Sequence, residues 1–401
     1  MESSLRVLLL SFYFAPDLSA GSFRNTAFVE SLKRILPDGS EIDVVTTLPN
    51  RYAGYAAQAL EQESSEGVSI TRIPLPNHKS GMLDQSRSFL TYAKAVRQHV
   101  SGREYDIVFA SSSRLMTAAL GAWVSRTKSI PLYLDIRDIF VDTIKDVLSQ
   151  RLAWLMKPVF SLVERWTVSR AARLNVVSEG FIPYFEQRYP NVPKVVFTNG
   201  IDDQFISLDI ETSDKSSPGE QGEAVEVLYA GNIGEGQGLH NIVPDLAERL
   251  GSRVVFRIIG AGGRLQQLQD AVTSKNLSNV ILEQPVSREE LISAYKKADV
   301  LFLHLNDYEA FLKVLPSKLF EYGALGKPIW AGVGGYAATF INENLSNATV
   351  FAPCDVSAGV QAFDELDIAD APRTDFIARF KRAAIMDGMA ADLLATVGDN
   401  R

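Results

Sequence analysis

KVLPSKLFEYGALGKPIWAG, residues 313–332, holds a helix start, two basic groups, a carboxylate and a following strand within one short segment. Pro316 suits the first turn of a helix, where its missing N–H costs nothing. Ser317 and Lys318 then present backbone N–H groups and an ammonium at the positive end of the helix dipole, an arrangement that holds a phosphate. Glu321 falls one turn further on, on the same face, where a carboxylate accepts hydroxyl protons from a ribose. Phosphate and ribose groups on one helix point to a nucleotide rather than to a simple anion. The competing reading is an amphipathic helix with Lys318 and Glu321 as a surface ion pair, which leaves Pro-Ser-Lys at the helix start without a reason.

Outward from this segment, buried-strand runs alternate with helix-length amphipathic stretches, the pattern of a doubly wound parallel α/β arrangement. Strands are expected at 6–14, 41–47, 68–75, 106–111, 131–136, 173–178 and 194–198, and again at 225–231, 253–260, 279–283, 299–305, 327–332 and 348–352. Between the two series lies 207–224, rich in Ser, Asp, Glu, Gly and Pro and poor in apolar residues, which reads as a linker. The expected organisation is therefore a Rossmann-like domain over 1–206, a linker over 207–224, a second Rossmann-like domain over 225–370 and a helical tail over 371–401.

Length and composition agree with two soluble domains: 401 residues, 46% hydrophobic and 22% charged. No apolar run is long enough to span a bilayer, and the first residues lack the basic start and cleavage site of a signal peptide, so a cytoplasmic location is expected. One cysteine, Cys354, excludes an internal disulfide framework or a thiolate cluster. The net charge of −8 argues against nucleic acid as partner. Residues 1–200 carry 23 basic and 19 acidic side chains, net +4, and residues 201–401 carry 17 and 29, net −12. A basic first half leaves room for peripheral contact with anionic lipid on the inner face of the cell membrane; chance asymmetry is the plain alternative. Residues 151–173 are likewise amphipathic, basic and Trp-containing, with core packing expected over an interfacial role and a kink or break expected at Pro158.

Ligands of open α/β sheets bind beyond the carboxyl ends of strands. Two such loops are glycine-rich: YAGNIGEGQGL at 229–239, with Gly231, Asn232, Gly234, Gly236 and Gly238, and IIGAGGRL at 258–265, with Gly260, Gly262 and Arg264. Taken with PSKLFEY and the following GKPI, in this order, they resemble the donor half of glycosyltransferase family 4 over 225–335. The resemblance implies a retaining, nucleotide-sugar-dependent enzyme of the GT-B type, two Rossmann-like domains facing a cleft, with the tail over 371–401 crossing back to pack on the first domain. It implies Glu321 as ribose ligand, and a donor site of Gly231, Asn232, Gly234, Gly260, Gly262, Arg264, Val286, Lys313, Ser317, Lys318, Leu319 and Glu321. From the first half, FYFAPDLSAGSFRN at 12–25 resembles the family's first strand and glycine loop, adding Gly21 and Ser22 near the donor phosphates. YLDIRDIFVD at 133–142 resembles its RDLWP stretch and places Asp138 on the acceptor side. Asp138, Lys318 and Glu321 are then the implied catalytic set, a UDP-sugar the expected donor, and a glycan or lipid-linked glycan the expected acceptor.

The sequence also departs from the family pattern. Lys313 stands where many relatives carry a first glutamate, Gln237 where many carry a basic residue, and FASSSRL at 109–115 has serines where some have a histidine. There is no Asp-x-Asp pair and the four histidines, His78, His99, His240 and His304, show no ligand spacing, so no metal cofactor is expected. For His304 a satisfied structural role is favoured over contact with the sugar. Two other functions compete. Gly260-Ala-Gly262 after a strand, with Glu283 about twenty residues on, is the start of a dinucleotide fingerprint, but Leu265 replaces its third glycine. A non-catalytic nucleotide-sugar-binding subunit is the second, favoured by the missing first glutamate.

Overall fold

The computed structural model describes residues 4–17, 19–49, 59–76, 82–112, 115–139, 141, 150–206 and 223–399. The chain forms two compact units, Met1–Asn199 with Arg382–Arg401, and Gly200–Lys381.

In the first unit the strands are β1 (Arg6–Leu10), β2 (Glu41–Thr47), β3 (Gln62–Ser65), β4 (Val68–Ile73), β5 (Ile107–Ser111), β6 (Leu132–Ile136), β7 (Arg173–Val176) and β8 (Lys194–Val196). They form one sheet in the order β3-β4-β2-β1-β5-β6-β7-β8. Val7, Leu8, Leu9 and Leu10 of β1 are fully buried, as a continuous apolar run must be in a sheet covered on both faces. Pairing is parallel except for β3, which runs antiparallel to β4. The sequence reading has no strand at β3. QESS offers no apolar alternation, and all four residues are exposed on an edge strand whose pairing comes from β4 alone.

The helix Ala20–Ile35 packs against this sheet and against the final helix, Arg382–Gly398: Phe28, Val29 and Leu32 share a core with Met386, Met389, Ala390, Leu393 and Val397. Inside the unit Arg24 and Asp135 form an ion pair with both side chains fully buried. The guanidinium donates from Nη2 to Oδ1 at 2.9 Å and from Nε to Oδ2 at 3.1 Å. Its other hydrogens go to the carbonyls of Thr198 at 2.6 Å and Phe197 at 2.8 Å, while Asn175 donates to Asp135 at 2.6 Å. Burial by itself raises the Asp135 pKa, but the Arg24 charge and these donors outweigh it and the carboxyl sits below its ordinary value.

The second unit contains β9 (Val225–Asn232), β10 (Val254–Ala261), β11 (Val280–Glu283), β12 (Val300–His304), β13 (Ile329–Gly332) and β14 (Ala348–Phe351). These pair in parallel in the order β11-β10-β9-β12-β13-β14. Its core gathers Phe256, Phe302, Trp330 and Phe351 around the sheet.

The sequence places the changes of domain at 206 and 371, whereas the compact units change at Asn199/Gly200 and Lys381/Arg382. Two contacts account for the shift. Ile201 donates its N–H to Phe380 at 2.7 Å, which ties the start of this unit to its end. The helix Thr374–Arg379 is held by Phe376, which packs with Phe320 and Phe340. Apart from Glu223 and Ala224, the expected linker lies outside the described residues. The helix Gln150–Val168 continues through Pro158, so the proline does not divide it.

Candidate functional site

In the second sheet β9 and β12 are neighbours, and from them the chain proceeds to opposite sides, β9 to β10 and β12 to β13. That reversal opens a crevice at the carboxyl ends of β9 and β12. The loops that flank it are fastened to each other. His304 at the end of β12 donates from Nδ1 to the Gln237 carbonyl at 2.7 Å, and Asn306 donates from Nδ2 to the Glu235 carbonyl at 3.0 Å. The other His304 nitrogen, Nε2, accepts the Cys354 N–H at 3.0 Å. With both nitrogens used and burial lowering its pKa to about 4, His304 is a neutral structural residue at physiological pH.

The helix Lys318–Ala324 starts beside this crevice, and Ser317 already has helical torsions, φ −60 and ψ −26. Lys318 turns back over β9. Its Nζ lies 5.6 Å from the centroid of the buried Tyr229 ring and packs onto Gly231. A Cβ at Gly231 would overlap Nζ and lie 2.8 Å from Cε, and the φ of +147 there also favours glycine. Burial lowers the Lys318 pKa, partly opposed by Glu321. One turn on, Glu321 lies 3.6 Å from Arg288 Nη1 and accepts the Tyr295 hydroxyl at 3.5 Å. Arg288 is itself held by Asp202 at 3.0 Å and lies over the Phe205 ring, 4.8 Å from its centroid. Tyr295 and Tyr322, both buried, pack edge to face behind Glu321.

The other residues singled out from sequence divide between the crevice and its scaffold. Ser317 and Lys313 are half-buried, Lys313 closing the 3-10 turn Glu309–Lys313, while Leu319 is fully buried. Asn232 is exposed and donates to Gln237 at 2.8 Å, and Gly234 donates its N–H to the same oxygen at 3.3 Å. Gly260 and Gly262 serve close backbone packing: a Cβ on the first would strike the Gly231 carbonyl, and on the second the Ile233 carbonyl. Arg264, expected to meet phosphate charge, instead pairs with Glu235 and donates to Gln267 at 2.8 Å. Glu235 also accepts the Tyr308 hydroxyl, which is the main cause of its lowered pKa. Val286 is half-buried, one residue before Ser287, which caps the helix Arg288–Lys297 together with Glu290. Glu283, the ribose ligand of the dinucleotide reading, is held by Arg257 at 2.7 and 3.0 Å.

In the first unit Ser19 caps the helix Ala20–Ile35 by accepting the Ser22 N–H at 3.1 Å, so that N–H, expected near the donor phosphates, is used within the helix. Gly21 is buried with no left-handed φ, and a Cβ on it would sit 3.7 Å from Arg137 Nη1, an ordinary contact. Arg137 donates to Asn199 at 3.4 Å, and burial lowers its pKa to about 10. Asp138 is exposed. Sequence reasoning missed Arg288 and Tyr229. Nothing in the spacing of Arg288 from Glu321 signals that they meet, and Tyr229 reads only as a strand residue.

The amino-terminal part, residues 26–200, matches the family model described as Glycosyl transferase 4-like domain, and residues 210–382 match Glycosyl transferases group 1. A putative colanic acid biosynthesis glycosyl transferase, WcaI of Escherichia coli (strain K12), is 35% identical over 101 residues, 25% of this chain and 24% of that protein. Among solved structures, sucrose-phosphate synthase from Thermosynechococcus elongatus superposes with a TM-score of 0.76 at 15% identity, over 99% of this chain and 100% of that one. Anabaena HepE in complex with UDP and glucose gives 0.67 at 16% identity, over 98% and 99%. Two Rossmann-like units with these structural neighbours define the GT-B fold. The chain is thus similar to glycosyltransferases along both units, each family model lying largely on one of them.

Proposed function

We propose that the protein transfers a sugar from a nucleotide-diphosphate sugar, a UDP-sugar, to a hydroxyl of a glycan or lipid-linked glycan in polysaccharide biosynthesis, with retention of configuration. One observation carries the reading: a single helix start puts the Lys318 ammonium over Gly231 at the carboxyl end of β9 and the Glu321 carboxylate one turn on, beside Arg288 and Tyr295. Lys318, with Lys313 nearby in sequence, faces the diphosphate, and Glu321 takes the ribose hydroxyls. Arg288 and Tyr295 fix the carboxylate beforehand, so that little side-chain freedom is lost on binding. Asp138, in the first unit, is the proposed acceptor contact. The name of the partial relative WcaI and the UDP in HepE support this choice of donor and pathway class.

In the reaction the bond from the anomeric carbon to the diphosphate oxygen breaks, and a bond from that carbon to the acceptor oxygen forms on the same face. The leaving diphosphate takes the acceptor proton. Negative charge grows on that diphosphate, and Lys318 and the helix-start N–H groups are pre-positioned to meet it.

Glu321→Ala is expected to weaken UDP binding by about 2–3 kcal/mol, the value of charge-assisted hydrogen bonds to the ribose. Isothermal calorimetry on wild type and variant tests it, and an unchanged Kd removes the ribose assignment. Metal independence is a separate expectation, resting on a cation and helix start that already face the diphosphate and on the missing Asp-x-Asp. Turnover is expected to persist in excess EDTA; complete loss, restored by one divalent ion, would refute it. Release of free sugar from UDP-sugars by wild type, absent in heat-treated protein, separates an enzyme from a binding-only subunit.

A further inference from the structure

We propose that the outer face of the helix Gln150–Val168 is a docking surface for anionic lipid headgroups. The inner side of this helix is anchored. Glu164, Thr167 and Val168 are buried, and Glu164 accepts the hydroxyls of Tyr184 at 2.8 Å and Tyr189 at 2.9 Å. The opposite side is apolar and open: Val159 is 51% exposed, Leu162 67% and Trp166 41%. Their spacing of three and four residues puts them on one helical face. The core packing expected of this segment thus holds for one face only.

Charge complementarity decides the occupant. Lys157, Arg165 and Arg170 are exposed around the apolar stripe, and Arg126 joins Leu162, Arg165, Trp166, Ser169 and Arg170 in lining a depression of about 460 Å³. From residue 150 to residue 178 the only acidic side chain is Glu164, and that one is buried. A chain with a net charge of −8 therefore presents here a face that is basic and apolar together. Trp and Leu at the level of the headgroups, with cations beside them, form the combination that binds an anionic bilayer surface. A protein partner of ordinary polar surface would leave the cations without counter-charge. No helix among the described residues is long and apolar enough to cross a membrane, so the contact is peripheral.

The test is cosedimentation of the full chain with phosphatidylcholine vesicles, with and without phosphatidylglycerol. Binding is expected only when phosphatidylglycerol is present, and it should fall with added salt. Arg165→Gln and Arg170→Gln should each weaken it about fivefold. Leu162→Gln combined with Trp166→Gln should weaken it at least tenfold. Trp166 emission should shift to the blue on binding, a change that Trp166→Phe abolishes. Circular dichroism and UDP affinity should stay at wild-type values in every variant. Failure of the wild-type chain to bind, equal binding to neutral vesicles, or variants that bind like wild type would overturn the proposal. Self-association lost in the Leu162 variant, without vesicle binding, would also overturn it in favour of a protein interface. Vesicle binding needs neither donor nor acceptor, so none of these failures bears on the proposed reaction.

Discussion

Lys318→Ala is expected to lower sugar transfer by about 10²–10³-fold, the range seen when one pre-positioned group is removed from a developing negative charge. The ammonium rests on Gly231 and the Tyr229 ring, so it is placed before any ligand arrives. Its charge is present in the ground state and grows in value as the diphosphate leaves, so kcat should fall more than UDP affinity. Burial has already lowered its pKa, and an anion in the crevice would raise it again. UDP should therefore bind best with Lys318 protonated and lose affinity as pH rises through the pKa of the free protein. Kinetics and calorimetry on one folded variant test both parts. A variant with wild-type kcat would remove Lys318 from catalysis.

Removing Asp135 should cost the first unit about 3–5 kcal/mol of stability, because it leaves the Arg24 guanidinium buried without a counter-charge. Urea unfolding of Asp135→Ala should show an early transition for this unit, while UDP binding by the other unit persists. Replacing both partners with leucine should cost less than the single change, since no charge then remains inside. The sign of the pH dependence follows from the lowered folded-state pKa of Asp135. Its contribution is full above the unfolded carboxylate value, about 4, and is lost as the pH falls from there through the folded value. Equal stability of Asp135→Ala and wild type would mean that the pair contributes nothing.

Much of the fold was legible because apolar runs such as RVLLL and VVFRIIGA are long enough to be buried strands in any arrangement. The start of the helix at Ser317 and Lys318 was legible for a local reason, since proline, serine and lysine act on the nearest backbone. What escaped depends on distant residues. β3 pairs only because β4 lies beside it, and Arg288 reaches Glu321 only because the sheet brings two helices together. Gly260 and Gly262 looked like ligand glycines, yet the carbonyls they accommodate belong to β9 and its loop. The pairing of Arg264 with Glu235 is of the same kind: both lie in glycine-rich loops, and each alone reads as a free charge. Composition marked the helix Gln150–Val168 as amphipathic but gave no indication of how much of its apolar face stays open.

The return of the helix Arg382–Gly398 to the first unit bears on the order in which the protein is made. A ribosome synthesises from the amino end, and the first sheet is complete once β8 has emerged, yet the residues that cover Phe28, Val29 and Leu32 are added only after the whole second unit. At about 5–20 residues per second, roughly 9–37 s of translation separate Asn199 from Arg382, where the chain returns to the first unit. During that interval the nascent first unit carries an open apolar groove along the helix Ala20–Ile35, a surface that a chaperone would cover. A chain cut short after Lys381 would keep that groove for life, so premature termination late in the message should yield an insoluble product even though every strand of both sheets has been made.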